Sequence, residues 1–305
     1  MYLESFTLPI YQEEELLSKR ASHNGEVYGY IDNPYPCGIF SQKDLSEICF
    51  KKITIFYGGN GSGKSTILNL IAQKLELNRI APFNMSEMTE SYVAACEYEL
   101  GYDDEGFRHR IPDGSRIITS DDIFDYMLTV RTNNNEIGEN KEEARADYDR
   151  LKYSESIRFS GLDDYEEFRL QVLARRRSVT RRKFIRRTAG EETELNSNGE
   201  TALKYFKTKL KSEKLYLLDE PENSMSPKTQ LELVGLITHL ARLCGCQFII
   251  ATHSPFLLAM DNTKIYNLDA VPVISQNWWE LESMKKYYEF FKKYSHLFEN
   301  ANSIF

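Results

Sequence analysis

The sequence has 305 residues, 41% of them hydrophobic and 28% charged, with a net charge of −8. These are the proportions of a soluble globular protein, large enough for one domain or for a core with a sizeable subdomain. No run approaches the ~20 uninterrupted apolar residues of a membrane span. Met1-Tyr2-Leu3-Glu4-Ser5-Phe6 has no basic segment ahead of an apolar one, so no secretory signal is expected. Five cysteines at irregular spacings predict a reducing cytoplasm rather than a disulfide framework. Cys244 and Cys246 form a C-x-C without a second pair, which reads as small buried residues rather than metal ligands.

Residues 1–57 read as short strands and turns, punctuated by Gly25, Gly29, Asn33-Pro34, Pro36 and Gly38, and predict a small antiparallel β layer. Tyr28, Tyr30 and Phe40 are aromatics there that could stack on a base, but such residues are more often plain packing, and none is singled out. Lys52-Ile53-Thr54-Ile55-Phe56-Tyr57 is β-branched and aromatic, hence a strand. Gly58-Gly59-Asn60-Gly61-Ser62-Gly63-Lys64-Ser65-Thr66 follows and fits G-x-x-x-x-G-K-[ST]. The run from Ile67 to Leu75 then has helical periodicity. Strand, glycine loop and helix in that order form a phosphate loop. Glycines let consecutive N–H groups curl round a phosphate, and the helix N-terminus adds partial positive charge. Lys64 would reach the β- and γ-phosphates, and the Ser65 hydroxyl would ligate Mg²⁺.

Beyond this helix the periodicity fades. Residues 101–116 suggest an exposed turn region. Ile117-Ile118-Thr119 reads as a short strand, and Ser120-Asp121-Asp122 as a helix start before Ile123-Phe124-Asp125-Tyr126-Met127-Leu128. Residues 131–170 are polar and acidic, without sustained heptads, and predict helices and loops of an inserted arm rather than a coiled coil. Residues 175–187 hold Arg175, Arg176, Arg177, Arg181, Arg182, Lys183, Arg186 and Arg187 and no acid; this local +8 leaves −16 on the other positions. Such a cluster invites a polyanion, DNA or RNA, or pairs with a protein partner or with this chain's own acids.

Ser197-Asn198-Gly199-Glu200, ahead of the helical run from Ala202, is a second candidate anion site. Lys214-Leu215-Tyr216-Leu217-Leu218-Asp219-Glu220-Pro221 is a buried strand ending in two acids, at the sheet edge where ligands of α/β proteins bind. Asp219 would hold Mg²⁺, and Glu220 would act as general base on the attacking water. Cys246 to Thr252 is another buried strand, ending in His253-Ser254-Pro255; an imidazole at that edge can hydrogen-bond a γ-phosphate or the water. In the tail, Tyr287, Phe291, Tyr294 and Phe298 share one helix face, either packed on the core or offered to a partner.

These four stretches, in this order, resemble the ABC-type ATPases. The ending Ala251-Thr252-His253-Ser254-Pro255 is similar to that of stand-alone bacterial AAA family ATPases, relatives of the structural-maintenance-of-chromosomes and overcoming-lysogenization-defect proteins. The resemblance implies an α/β P-loop NTPase fold of ABC type, a mixed sheet flanked by helices, with an N-terminal antiparallel β layer and an inserted helical arm. Its boundaries would be 1–80 for an N-terminal ATPase lobe, 81–194 for the arm and 195–305 for a C-terminal lobe. On it, residues 58–66 are Walker A, and Asp219 and Glu220 end Walker B. His253 is the switch histidine, Ser197 and Gly199 belong to a degenerate signature, and residues 223–227 form the D-loop. Three departures stand out: the signature lacks the usual double glycine, since Asn198 stands in its second position, Ser226 stands where many relatives carry the D-loop aspartate, and no Q-loop glutamine is visible, Ser120-Asp121-Asp122 being nearest by position.

The resemblance implies Mg²⁺-dependent ATP hydrolysis in a head-to-tail homodimer with two nucleotides sandwiched. A cytoplasmic switch of that kind would control an effector, a nuclease or toxin, in genome maintenance or phage defence. The alternatives are a nucleic-acid-binding ATPase using the arginine cluster, a transporter's nucleotide-binding subunit, and a sensor that binds ATP without turnover.

Overall fold

Consecutive apolar residues build the framework. The computed structural model describes residues 1–23, 34–82, 85–103, 105–156, 165–189 and 197–301. The elements run in the order β1 (Leu3–Thr7), α1 (Tyr11–His23), β2 (Glu47–Cys49), β3 (Ile53–Tyr57), α2 (Lys64–Lys74), α3 (Glu87–Ala95), β4 (Glu97–Leu100), β5 (Arg116–Ile118), α4 (Ser120–Tyr153), α5 (Tyr165–Arg175) and α6 (Arg181–Ala189). They continue with α7 (Asn198–Lys209), β6 (Leu215–Asp219), α8 (Pro227–Leu243), β7 (Gln247–Ala251), α9 (Pro255–Leu258), β8 (Lys264–Asn267), β9 (Ile274–Ser275), α10 (Glu282–Lys293) and α11 (Ser295–Ala301).

The chain divides into two units, Met1–Ile123 with Asn198–Phe305, and Phe124–Ser197. In the first, six strands form a sheet in the order β5-β6-β7-β3-β8-β9. All neighbours are parallel except β8 and β9. Every residue of β3 and β7 is buried. Such continuous apolar strands form where both faces of a parallel sheet are covered, here in part by Ile67, Leu68 and Ile71 of α2. A second, antiparallel sheet has the order β2-β1-β4. The two sheets are stitched by Gln247, which is 1% exposed. Its Oε1 accepts from the N–H groups of Tyr2 and Leu3 at 3.0 and 2.8 Å, and its Nε2 donates to Leu3 O at 2.7 Å.

In the second unit Tyr148, Leu151, Ala174, Val179 and Phe184 form a small core, with the Tyr148 and Phe184 rings 5.3 Å apart. Arg181 pairs with Asp149 at 2.7 Å, and Arg150 with Asp147 and Glu167 at 2.9 and 3.0 Å.

The structure differs from the sequence reading at several points. The boundary of the inserted segment moves from 81 to 124, because β4 completes the antiparallel sheet and β5 pairs with β6. The antiparallel layer therefore draws on residues 97–100 as well as on the first 57. Helix α1 was not anticipated; its Glu14 is buried and accepts from Gly38 N–H, Ser41 Oγ and Tyr92 OH. Tyr28, Tyr30 and residues 190–196 lie outside the described residues. Phe40 is a core side chain. Cys246 is buried with Sγ 3.1 Å from Lys211 O, whereas Cys244 is half-buried. The tail aromatics do not share one helix, since α10 stops at its C-cap Tyr294; Tyr287, Phe291 and Phe298 are exposed, and Leu281 and Met284 are buried instead.

Gln247→Leu removes a partner from the buried N–H and C=O of Leu3 and from the half-buried Tyr2 N–H and Lys51 O while keeping the volume. Loss of about 2–4 kcal/mol is expected in urea unfolding; an unchanged midpoint would show that the stitch between the sheets contributes nothing.

Candidate functional site

Strand order decides where the chemistry gathers. Strands β6, β7 and β3 are neighbours and parallel, so their carboxyl ends lie along one edge. The loop of residues 58–63 leaves β3 there, Asp219 and Glu220 end β6, and Thr252 and His253 follow β7. Ligands of parallel α/β sheets bind at this edge.

The loop is shaped by glycines in two ways. Gly61 and Gly63 have φ of +76° and +102°, the left-handed region that costs other residues energy. A Cβ on Gly58 would lie 2.5 Å from Ser62 Oγ, and one on Gly63 3.0 Å from Phe40 and Ile39. The loop is held from outside as well. The Asp269 carboxylate accepts from Gly59 N–H at 2.9 and 3.0 Å, and Lys43 Nζ donates to Ser62 O and Leu268 O at 2.7 Å each. A cavity of about 390 Å³ is lined by Tyr35, Ile39, Asn60, Gly61, Ser62, Gly63, Lys64, Ser65, Thr66 and Glu220.

Lys64 is buried, its Nζ donating to Gly58 O at 2.8 Å and Gly59 O at 3.0 Å and lying 3.6 Å from Glu220 Oε1. Glu220 adopts φ of +46°, which turns its side chain off the strand line. Its Oε1 is also 3.7 Å from His253 Nδ1, and its Oε2 accepts from Asn223 Nδ2 at 3.3 Å. The Ser65 hydroxyl lies beside the Asp219 carboxylate. Burial pushes the Asp219 carboxyl up to about 6 from its usual 3.8; Glu220 and Glu222 push the same way, and the Ser65 hydroxyl and Lys64 pull it down.

The edge thus brings together Lys64, Ser65, Asp219, Glu220 and His253. Gly199 is buried at the start of α7, where a Cβ would stand 3.1 Å from Ser224 O and 3.2 Å from Met225 Cα, so the α7 terminus packs on the turn after Glu220. Ser197 is exposed and belongs to the second unit. Asp122 is not free for a metal: its carboxylate accepts from Ala81 N–H, Thr119 N–H and Thr119 Oγ1 at 2.7–3.0 Å, capping α4. Tyr35 was missed in the sequence; it lines the cavity and its OH donates to Thr66 Oγ1 at 3.2 Å. Its place after Asn33-Pro34 suggested only a turn.

A family model described as "ABC transporter" matches residues 47–223, and another described as "AAA domain, putative AbiEii toxin, Type IV TA system" matches residues 201–259. The chain belongs to the ABC ATPase family. It is similar to the lipoprotein-releasing system ATP-binding protein LolD of Bordetella pertussis, 25% identical over 257 residues that cover 81% of this chain and 91% of LolD. Among solved structures it is similar to the SMC head domain from Thermotoga maritima, at 14% identity and TM-score 0.38, covering 90% of this chain and 99% of that one. It is also similar to an ATP-binding cassette dimer in a post-hydrolysis state bound to ADP and Pi, at 17% identity and TM-score 0.37, covering 76% and 88%.

ABC-type ATPases bind and hydrolyse ATP, and the donor set of this one fits Mg²⁺. Asp219 Oδ1 is buried without a hydrogen-bond partner, beside the Ser65 hydroxyl. One carboxylate and one hydroxyl, with phosphate oxygens and water completing the shell, is the small oxygen set this hard cation takes.

The raised Asp219 pKa has a definite sign. The folded state binds this proton more tightly than the unfolded chain, so the carboxyl costs nothing below 3.8 and destabilises increasingly as pH rises through about 6. In the nucleotide-free protein Asp219→Asn should therefore raise Tm by roughly 2–5 °C at about pH 7.5 and by less at about pH 5. A lower Tm at the higher pH would contradict this assignment of cost.

Proposed function

We propose that this ATPase is a nucleotide-driven dimerisation switch that controls a partner effector, a nuclease or toxin, in genome maintenance or phage defence within the cytoplasm. The observation that carries the reading is the meeting of Lys64, Ser65, Asp219, Glu220 and His253 at one sheet edge. The family model that matches residues 201–259 is described as "putative AbiEii toxin, Type IV TA system", a description of the AAA domain itself that motivates the toxin–antitoxin side of this reading. No helix among the described residues is long and apolar enough to cross a membrane.

In this reading the amides of residues 61–66 and Lys64 Nζ hold the β- and γ-phosphates, Nζ exchanging its present carbonyl partners for phosphate oxygens. Ser65 and Asp219 hold Mg²⁺, which when bound neutralises charge on the phosphates. Glu220 takes the proton of a water attacking the γ-phosphorus, and His253 hydrogen-bonds the γ-phosphate. Ser197, with the start of α7 behind Gly199, completes the site of a second copy. Two nucleotides then join two chains, and hydrolysis parts them.

With ATP and Mg²⁺, Glu220→Gln should accumulate as a dimer in size-exclusion chromatography, and Lys64→Ala should stay monomeric. Absence of any ATP-dependent association in the wild type and Glu220→Gln would overturn the sandwich.

A second reading is nucleic-acid engagement. It is favoured by the eight exposed cations of residues 175–187, even though Arg175 already donates to Leu151 O and Ser156 Oγ and Arg181 pairs with Asp149. A stripe of this kind predicts steep salt dependence. Arg177→Glu with Arg182→Glu should lower filter binding of DNA or RNA about tenfold or more; unchanged binding would discard the reading. The likeness to LolD supports a transporter subunit, while Asn198 in the signature speaks against it.

A further inference from the structure

The backbone ladder between β6 and β7 ends at the Asp219–Ala251 pair, with one more bond from Glu220 N–H to Ala251 O at 2.9 Å. Glu220 and His253 lie at or beyond that end, on separate loops. What joins the loops further out is a side chain. Glu222 is 6% exposed, and its Oε1 accepts from Thr252 Oγ1 at 2.5 Å and from His253 N–H at 3.2 Å. Thr252 is fully buried, and its hydroxyl accepts from Ser254 N–H at 3.0 Å. Ser254 Oγ donates to Gln230 Oε1 at 2.6 Å, and Gln230 Nε2 returns to Met225 O at 3.0 Å. The circuit closes on the turn it began from, where Asn223 N–H donates to Glu220 O and its side chain to Glu220 Oε2.

A buried carboxylate is a costly way to fill space, since an uncharged side chain would pack there without desolvating a charge. The second oxygen, Oε2, is buried with no hydrogen-bond partner. The acid is therefore poorly accounted for by stability, and its two bonds reach the residue before the switch histidine and the histidine's own N–H.

We propose that Glu222 is a positioning residue for ATP hydrolysis: it locks the loop carrying His253 to the turn carrying Glu220, so that imidazole and carboxylate keep their 3.7 Å relation during turnover. The proposal rests on the reading of Glu220 and His253 as the reacting pair. It acts on geometry at the γ-phosphate and leaves the phosphate loop untouched, so it bears on kcat and not on ATP affinity.

A double-mutant cycle on the full chain, read by steady-state phosphate release, tests it. Glu222→Ala should lower kcat about tenfold or more with the KM for ATP within about twofold. Glu222→Gln keeps an acceptor for Thr252 and His253 N–H and should recover kcat to within about threefold of wild type. In the His253→Ala background, Glu222→Ala should cost less than about twofold more. Should the alanine variant not fold, Glu222→Asp, which withdraws the acceptor by one methylene, takes its place in the cycle with the same expectation. If His253→Ala lowers kcat and the Glu222 effect is additive, absent or mainly on KM, the positioning role is overturned alone. If His253→Ala hydrolyses ATP at the wild-type rate, the role of His253 falls and this inference with it.

Discussion

The parallel pairing of β6, β7 and β3 is the constraint on which the site depends. Only when these strands point the same way, in this order, do the lysine after one, the acids after the second and the histidine after the third share an edge. Hydrophobic burial favours it: β3 and β7 have no exposed residue, so both belong in the interior of a sheet that is covered on both faces, as parallel strands are. The sheet supplies precision that loops alone lack, and the loops carry the polar groups.

Electrostatics is left unbalanced at that edge. Asp219, Glu220 and Glu222 crowd within one turn, Asp219 holds its proton to about 6, and Lys64 is the buried cation among them. Such crowding costs stability in the nucleotide-free chain. A triphosphate with its cation would bring both signs of charge to the groups that want them, so binding energy and relief of repulsion act in the same direction. The positive φ of Glu220 belongs to the same account, because strained backbone persists where surrounding structure over-determines it.

Much of this was legible in the sequence, for identifiable reasons. The loop at 58–66 has fixed spacing between flanking elements of opposite periodicity, and Leu215–Asp219 and Gln247–Ala251 are apolar runs of strand length. Helix α1 was not legible, because a polar helix pinned by one buried acid, Glu14, leaves no apolar stripe. Residues 97–100 alternate polar and apolar over only four positions, and their partner β1 lies some ninety residues away, beyond the reach of local pattern. Tyr35 could not be told from a turn residue, since its contact with Thr66 is made by tertiary structure. Glu222 stood beside two acids with evident roles, and only the approach of Thr252 distinguishes it.

The measurement that bears most directly on the site is a crystal structure of Glu220→Gln grown with ATP and Mg²⁺. The phosphates should lie on the amides of residues 61–66, with the cation on Ser65 Oγ and on Asp219, directly or through one water. The substituted amide side chain at position 220 and the His253 imidazole should both face the γ-phosphate. A nucleotide bound elsewhere, or a cation out of reach of both Ser65 and Asp219, would contradict the account.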